Sequence, residues 1–214
     1  MQRTWYLVRH GETEWNAASR MQGQLDSRLT PLGRAQAKQS GQLLARLGVD
    51  AIYASPLGRV RETLAIVAED VPVPVVFDDR LKEWSSGEWS GELHANLPGK
   101  WPDEWMAWVA DRYHARSPGG ENFVDLAGRA RSFLADVDTP AARVAIIAHG
   151  FLNRVLAGEL LDLSPPEMLR IHQFNDAVIR IVGVDGTRSA DYFVSGEGPR
   201  PGLPEGEKPA RESA

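Results

Sequence analysis

Trp5-Tyr6-Leu7-Val8-Arg9-His10-Gly11-Glu12-Thr13 is the stretch whose reading decides the fold. An apolar run stops abruptly at Arg-His-Gly. Runs of this length, bounded by a turn residue, read as strands buried on both faces. Gly11 lacks a Cβ and is expected to let the backbone turn and approach a ligand closely. Arg9 and His10 then fall at the carboxyl end of a central strand, the edge at which open α/β sheets bind ligands. An arginine and a histidine there suit an anion held by guanidinium and attacked by imidazole. The tripeptide alone fits a polar pair capping a strand just as well, so the rest of the chain has to decide.

Downstream, the polar segment Glu12 to Leu29, with Asn16, Arg20, Gln22 and Gly23, reads as a loop leaving that strand end. Thr30-Pro31 predicts a helix N-cap followed by proline at the first helical position. Leu32, Leu43, Leu44 and Leu47 predict the packed face of that helix, which should end at Gly48. Asp50 to Ala54 reads as a second strand of a right-handed βαβ unit. Ser55-Pro56 predicts another N-cap, with Leu57, Val60, Leu64 and Val67 on the buried face. Arg59 in the first turn would place a guanidinium beside free N–H groups that favour an anion. Val73 to Phe77, with its proline, reads as an edge strand.

From Asp78 to Ser117 the βα pattern breaks. A glycine- and acid-rich loop containing Glu83, Glu88 and Glu92 precedes Trp101, Trp105 and Trp108, which share roughly one helical face. Residues 80–118 are expected to form a small helical insertion over the sheet edge, a candidate lid held down by its tryptophans. A helix should follow Pro118-Gly119-Gly120-Glu121. Arg143 to Ala148 is the clearest strand in the chain and ends, like the first, in His-Gly: His149-Gly150. Ala177 to Val184 and Asp191 to Ser195, joined by Asp185-Gly186, predict a closing hairpin. Residues 1–195 are thus expected to form one domain. The segment 196–214, rich in Pro, Gly and Glu, reads as a disordered tail.

Composition narrows the function classes. The formal net charge is -5, which argues against nucleic-acid binding by a general basic surface. It is no obstacle to an anionic substrate, because local arginines can dominate one cleft. The absence of cysteine excludes a disulfide framework, a thiolate metal site and a cysteine nucleophile, and is compatible with a cytoplasmic location. No stretch is long and apolar enough to span a membrane, and no apolar signal region precedes the first strand. The oligomeric state is not legible; a homodimer stays open.

Arg9, His10, Arg59 and His149 are all predicted at one sheet edge, with Glu83 arching over it, and together they make a coherent anion site. In this setting Leu7-Val8-Arg9-His10-Gly11-Glu12-Thr13 resembles the signature of the histidine phosphatase superfamily, the phosphoglycerate-mutase-like proteins. Ser55-Pro56-Leu57-Gly58-Arg59-Val60-Arg61-Glu62-Thr63 resembles that family's second arginine motif. Leu81-Lys82-Glu83 with Gly87-Glu88-Trp89-Ser90-Gly91 resembles its general-acid loop. Arg20-Met21-Gln22-Gly23, Pro118-Gly119-Gly120-Glu121 and Ala148-His149-Gly150 match further motifs in the same order.

The resemblance implies a three-layer α/β/α sandwich with a doubly wound, mostly parallel sheet, helices on both faces and a helical lid insertion. It implies that His10 becomes phosphohistidine and that Arg9, Arg59 and His149 bind the phosphoryl oxygens. Asn16 would add a neutral donor, and Glu83 would protonate the leaving oxygen and later activate water. Gln22, Gly23 and Gly150 are candidates for contacts to the phosphoryl group or substrate. No cofactor is expected, because the arginines supply the neutralisation. A metal site built from His10, His149 and Glu83 is disfavoured by the adjacent cations. His94, His114 and His172 have no motif around them and are expected to be surface or satisfied residues. Arg112 and Arg116, separated in sequence, do not make the paired-arginine segment of the mutases. The chain resembles the short phosphatase branch, which implies a phosphomonoesterase for a small phosphorylated metabolite. Mutase-type transfer is the alternative, and a non-catalytic phospho-ligand module a further one.

Overall fold

In the computed structural model, residues 3–206 are described apart from 138 and 185. The elements follow in chain order. The first strand is β1 (Arg3–Arg9), then come a single-turn helix α1 (Glu14–Ala17), a long helix α2 (Pro31–Leu47), β2 (Ala51–Ala54), α3 (Gly58–Val67) and β3 (Val75–Phe77). An insertion follows with three 3-10 turns and the helices α4 (Leu97–Lys100) and α5 (Pro102–Ala110). The chain then returns through α6 (Phe123–Asp136), β4 (Arg143–Ala148), α7 (Gly150–Leu161) and α8 (Pro165–Arg170) to β5 (Ala177–Val184), β6 (Thr187–Val194) and β7 (Glu197–Pro201).

The sheet order is β3-β2-β4-β1-β5-β6-β7. The four strands β1 to β4 are mutually parallel, and β5 to β7 extend the sheet by antiparallel pairing. Successive side chains of a strand point to opposite faces, and β1 shows this directly. Trp5 and Leu7 pack with Ile146, Ala148 and the apolar residues of α6 and α7. Tyr6 and Val8 pack on the other face with Ile147, Leu43 and Leu44 of α2, and Val60 and Leu64 of α3. Helices therefore cover both faces of a mixed sheet, the three-layer arrangement expected from the sequence. Val144 to Ala148 are fully buried, as a strand at the centre of two cores must be.

Helix α2 forms as its ends dictate: Thr30 Oγ1 accepts the amide of Gly33 at 3.0 Å, Pro31 opens the first turn, and Gly48 closes it with φ of 67°. Leu32, expected on the packed face, is instead half exposed. Gly11 has a different role from the one expected. A Cβ there would lie 2.2 Å from the carbonyl oxygen of Gly33, and a Cβ on Gly33 would lie 2.0 Å from that of Glu12. The turn after β1 is seated directly on the first turn of α2, and both glycines serve backbone packing.

In the insertion, Trp84 and Trp89 are buried and pack with Trp105 and Trp108; Trp105 and Trp108 stack with ring centroids 5.4 Å apart. The cluster rests on α7 through Phe151, 5.4 Å from Trp84. The tryptophans hold the insertion down.

The disordered tail expected from residue 196 is corrected for its first part. Residues 197–201 form β7 on β6, and Glu205 bridges Ile171. Strand pairing supplies the backbone partners that the polar, proline-rich composition concealed. Residues 207–214, and Asp185 of the hairpin turn, lie outside the described residues. The last strand of the hairpin also begins earlier than expected, at Thr187. Among the described residues no helix is long and apolar enough to cross a membrane.

Gly33→Ala should lower the unfolding free energy by about 1–3 kcal/mol, because its Cβ meets immovable backbone. Gly128→Ala, in the exposed middle of α6 with nothing within 4 Å of the new Cβ, should raise it by about 0.5–1 kcal/mol. Urea denaturation followed by circular dichroism checks both signs; equal effects of the two would overturn the packing account.

Candidate active site

The parallel register of β1 and β4 aligns Arg9 with Ala148, so the next residues, His10 and His149, leave adjacent strands at one level. Their ring centroids are 5.3 Å apart at an interplanar angle of 61°. Both are buried, with 2% and 0% exposure. The strand end is tied down on every side. The His10 amide donates to Ala148 O at 3.1 Å, Asn175 Nδ2 donates to His10 O at 2.8 Å, and the Gly11 amide donates to Thr63 Oγ1 of α3 at 3.1 Å.

His10 Nδ1 lies 2.8 Å from its neighbour's carbonyl, Gly11 O. A carbonyl can only accept, so Nδ1 carries the proton and Nε2 keeps the lone pair. Arg59 Nε donates to that Nε2 at 3.2 Å. Burial, reinforced by Arg59 and Arg9, holds the His10 pKa well below the ordinary histidine value. The ring is a neutral base in a cationic setting. His149 is likewise held well below that value, first by burial and then by Arg59, His10 and Arg9. Its Nε2 lies 2.7 Å from Ser55 Oγ, and its Nδ1 is buried without a partner.

Arg59 is 1% exposed and fixed from one side. Nη1 donates to Leu25 O at 2.6 Å and to Asp26 Oδ1 at 3.0 Å, and Nη2 donates to Gly23 O at 2.8 Å. Asp26 also accepts the amides of Gly58 at 2.7 Å and Arg59 at 3.1 Å, capping α3 from a distant loop. Ser55, expected to cap that helix, does not. Its side chain is turned to His149, and α3 starts at Gly58 with Leu57 at the cap position and no side-chain cap of its own.

Arg9 Nη1 donates to Gln173 O at 2.9 Å, while its buried Nε has no partner. Gly150 lies beside it: a Cβ there would stand in ordinary contact, 3.4 Å from the Arg9 guanidinium. Glu83 sits on the N-terminus of α7. Its Oε2 accepts the Phe151 amide at 3.2 Å, and its Oε1 accepts the amides of Leu152 at 3.2 Å and Trp84 at 2.9 Å. Arg129 of α6 braces this loop through the carbonyls of Arg80 and Lys82 and an ion pair with Glu121 at 2.8 Å. The segment Pro118 to Glu121 thus supports the site from outside it.

Arg9, His10, Asn16, Gln22, Gly23, Arg59, Glu83 and Gly150 line one cavity of about 290 Å³, and His149 lies just beneath it against His10. Asn16 and Gln22 are both engaged locally as well: Asn16 Oδ1 accepts the Thr13 amide at 3.1 Å, and Gln22 Oε1 accepts Ser27 Oγ at 3.3 Å. The cavity also takes Arg20, from the segment whose resemblance is to the family's substrate-side loop, and His94, Arg112, Arg154 and His172, which the sequence reading did not place there. His94, which is exposed, and His172, which stacks on Phe174, agree with the expectation of surface or satisfied residues and in addition line the cavity. Burial and Arg112 lower the His94 pKa. His114 pairs with Asp111 at 2.9 Å on an exposed turn, as a satisfied histidine. A larger groove of about 600 Å³ lies at the opposite end of the sheet, around Arg3, Trp5 and Gly183. Its arginines are bound to Thr139 O, Glu159 and Leu160 O, and no reactive cluster forms there. Among the described residues no group of three or more His, Asp or Glu side chains is arranged to hold a metal ion.

An α/β/α sandwich that gathers two neutral imidazoles and two guanidiniums beyond its central strands has the architecture of a phosphoryl-transfer enzyme. The chain belongs to the histidine phosphatase superfamily (branch 1), whose profile matches residues 5–193. It is 39% identical to phosphoserine phosphatase 1 of Hydrogenobacter thermophilus over 162 residues, 74% of this chain and 77% of that one. It is 38% identical to the probable phosphoglycerate mutase GpmB of Erwinia tasmaniensis over 178 residues, 82% of this chain and 83% of the other. Its structure superposes on a mycobacterial glucosyl-3-phosphoglycerate phosphatase in complex with inorganic phosphate. The TM-score is 0.77 and the identity 30%, covering 92% of this chain and all of that one.

The buried histidines make stability depend on pH. With the native pKa values lowered, the unfolded chain binds more protons below its own value near 6.5, so stability is complete above pH 6.5 and falls as the pH drops below it. The slope approaches about 1.4 kcal/mol per pH unit for each histidine. Urea midpoints measured at pH 7.5, 6.5 and 5.5 should fall over the last interval, and His149→Gln should remove about half of that fall. A flat profile in the parent protein would contradict the assignment.

Proposed function

We propose that the protein is a metal-independent phosphomonoester hydrolase that acts on a small phosphorylated metabolite through phosphohistidine at His10. One observation carries the reading. The His10 Nε2 lone pair, fixed by the Nδ1 bond to Gly11 O, meets the Nε–H of Arg59 at 3.2 Å. A phosphorus atom attacked by that lone pair would have an arginine donor already aimed at its equatorial oxygens.

In the first step Nε2 attacks phosphorus, the N–P bond forms and the ester P–O bond breaks. The leaving alkoxide takes a proton from Glu83. In the second step the Glu83 carboxylate removes a proton from water, the resulting hydroxide attacks phosphorus, and the N–P bond breaks. Inorganic phosphate leaves and the His10 lone pair is restored. Charge on the equatorial oxygens is met by Arg59 and by the unpartnered Nε of Arg9, with His149 and Asn16 as further donors. These groups are held before substrate arrives, so little reorganisation is required in the transition state. Gln22 and Gly23 shape this end of the cavity, Gly23 by holding Arg59. Covalent transfer divides one difficult displacement into two.

The relatives named above include phosphatases and a probable mutase. The contrast between Arg112, on the cavity, and Arg116, paired outward with Asp125, favours the hydrolytic reading, because the insertion turns one arginine and not a consecutive pair to the cavity. A cytoplasmic location is proposed from the cysteine-free composition.

Purified protein should release phosphate from small phosphoesters, and His10→Ala should abolish release. Rapid quench into alkali should trap label on His10 in the parent protein as an alkali-stable, acid-labile phosphoramidate. Arg59→Met should cost about 100- to 1000-fold in kcat/KM, and Glu83→Gln should slow both steps. Labelled phosphoglycerate that isomerises faster than it hydrolyses would favour the mutase reading, and a protein that binds phosphoesters without ever trapping label would be a binding module.

A further inference from the structure

Ser55 is fully buried directly after β2, and no step of that reaction uses it. Its amide donates at 3.1 Å to the carbonyl of Ile147, two residues before His149 on the neighbouring strand β4. A serine followed by proline ordinarily caps the helix it precedes. Here Asp26 has taken that task by accepting the amides of Gly58 and Arg59, which leaves the Ser55 hydroxyl for another partner. That partner is His149, whose Nε2 lies 2.7 Å from Ser55 Oγ. The Leu57 amide donates to the same oxygen at 3.4 Å.

These contacts fix the direction of the serine–histidine bond. A hydroxyl has one proton to give, and an amide cannot receive it. Among the described hydrogen bonds, the acceptor left for it is His149 Nε2. Were Nε2 protonated instead, Oγ would accept from both sides. Its own proton would then be buried without an acceptor, an arrangement that buried polar groups avoid. The imidazole carries a single proton, because burial first, and then Arg59, His10, Arg9 and Arg129, hold its pKa well below the ordinary value. If Nε2 accepts, that proton sits on Nδ1. Nδ1 is the buried ring nitrogen that has no partner in the protein, on a ring 5.3 Å from that of His10. In the opposite tautomer Nδ1 would carry a lone pair, and a phosphoryl oxygen would meet an acceptor in place of a donor.

We infer that Ser55 is a positioning residue. Its hydroxyl donates to His149 Nε2 and thereby keeps the proton on Nδ1, from which His149 donates to a phosphoryl oxygen. The two imidazoles then share one tautomer and use opposite ends of it. Gly11 O holds the His10 proton on Nδ1 and leaves Nε2 to attack. Ser55 holds the His149 proton on Nδ1 and makes that same nitrogen the donor. The donor role rests on the phosphatase reading for the place of the phosphoryl group, whereas the tautomer rests on Ser55 alone.

Nitrogen NMR of protein isotopically labelled at histidine reads the tautomer directly, and His149→Gln identifies the signals by their loss. In the parent protein, Nδ1 of His149 should show the shift of a protonated imidazole nitrogen and Nε2 that of an unprotonated one. The reverse pattern would overturn the inference. Saturating inorganic phosphate should move the Nδ1 signal while the proton stays in place, and a His149 signal left unmoved would overturn the donor role. Ser55→Ala should mix or reverse the tautomers and lower kcat/KM for p-nitrophenyl phosphate about tenfold. Ser55→Thr, which keeps the hydroxyl, should retain both properties. An alanine variant that loses activity yet keeps the parental tautomer would make the serine a packing residue and sink the proposal. If Ser55→Thr fails to fold, the parent spectrum and Ser55→Ala still decide. A parent protein that does not hydrolyse p-nitrophenyl phosphate would count against the phosphatase reading, while its nitrogen spectrum tests the tautomer without any turnover.

Discussion

Arg9 is level with Ala148 across the parallel β1–β4 ladder, and everything chemical in this molecule follows from that register. A one-residue slip in a strand turns its side chains to the opposite face. It would pull His10 away from His149 and move the apolar residues of β1 out of both cores at once. The two buried cores that flank the sheet therefore lock the spacing of the two imidazoles. The site inherits its precision from the hydrophobic alternation of Trp5, Tyr6, Leu7 and Val8.

The site concentrates positive charge, and the fold manages that charge in two ways. Its imidazoles are kept neutral by burial and by the arginines themselves, so His10 retains the lone pair that an attack requires. Its guanidiniums are held by groups that do not obstruct the cavity. Leu25 O, Asp26 and Gly23 O grip Arg59 from behind, and Gln173 O grips Arg9. The Glu121–Arg129 pair steadies the loop that delivers Glu83. Supporting residues of this kind fix donors before a ligand arrives, which is the condition for electrostatic catalysis without reorganisation.

The framework was legible in the sequence because it is encoded locally. Continuous apolar runs ending in His-Gly marked β1 and β4, and Thr30-Pro31 with Gly48 marked both ends of α2. What was illegible depends on partners far along the chain. Asp26 caps α3 across 32 residues, and no local pattern betrays it. Ser55-Pro56 has the look of a cap, yet the hydroxyl is taken by a histidine 94 residues away. The first glycine after β1 suggested ligand approach, whereas it is required by Gly33. The strand β7 lacked apolar alternation because it is an exposed edge, where pairing alone suffices. His94, His172, Arg112 and Arg154 carried no motif; the insertion brings the first and third to the cavity, while Arg154 arrives on α7 and His172 on the segment after α8.

The first turn of α7 shows how much one short segment can couple. His149 is its N-cap residue and lies against His10. Gly150 lies against the Arg9 guanidinium. Phe151 gives its amide to Glu83 and its ring to Trp84, Arg112 and Arg154. Leu152 gives a second amide to Glu83 and buries its side chain in the core, and Asn153 donates to Val8 O at 3.0 Å, tying the turn back to β1. A displacement of this turn would move nucleophile support, acid–base carboxylate and substrate-facing cations together. Their relative geometry is therefore set once, by seating a single helix start against a single strand end. The tryptophan-rich insertion docks onto the same turn through the Phe151 ring and the Glu83 carboxylate. Changes in that insertion can reshape what the cavity accepts while the phosphoryl end, anchored on β1 and β4, stays as it is.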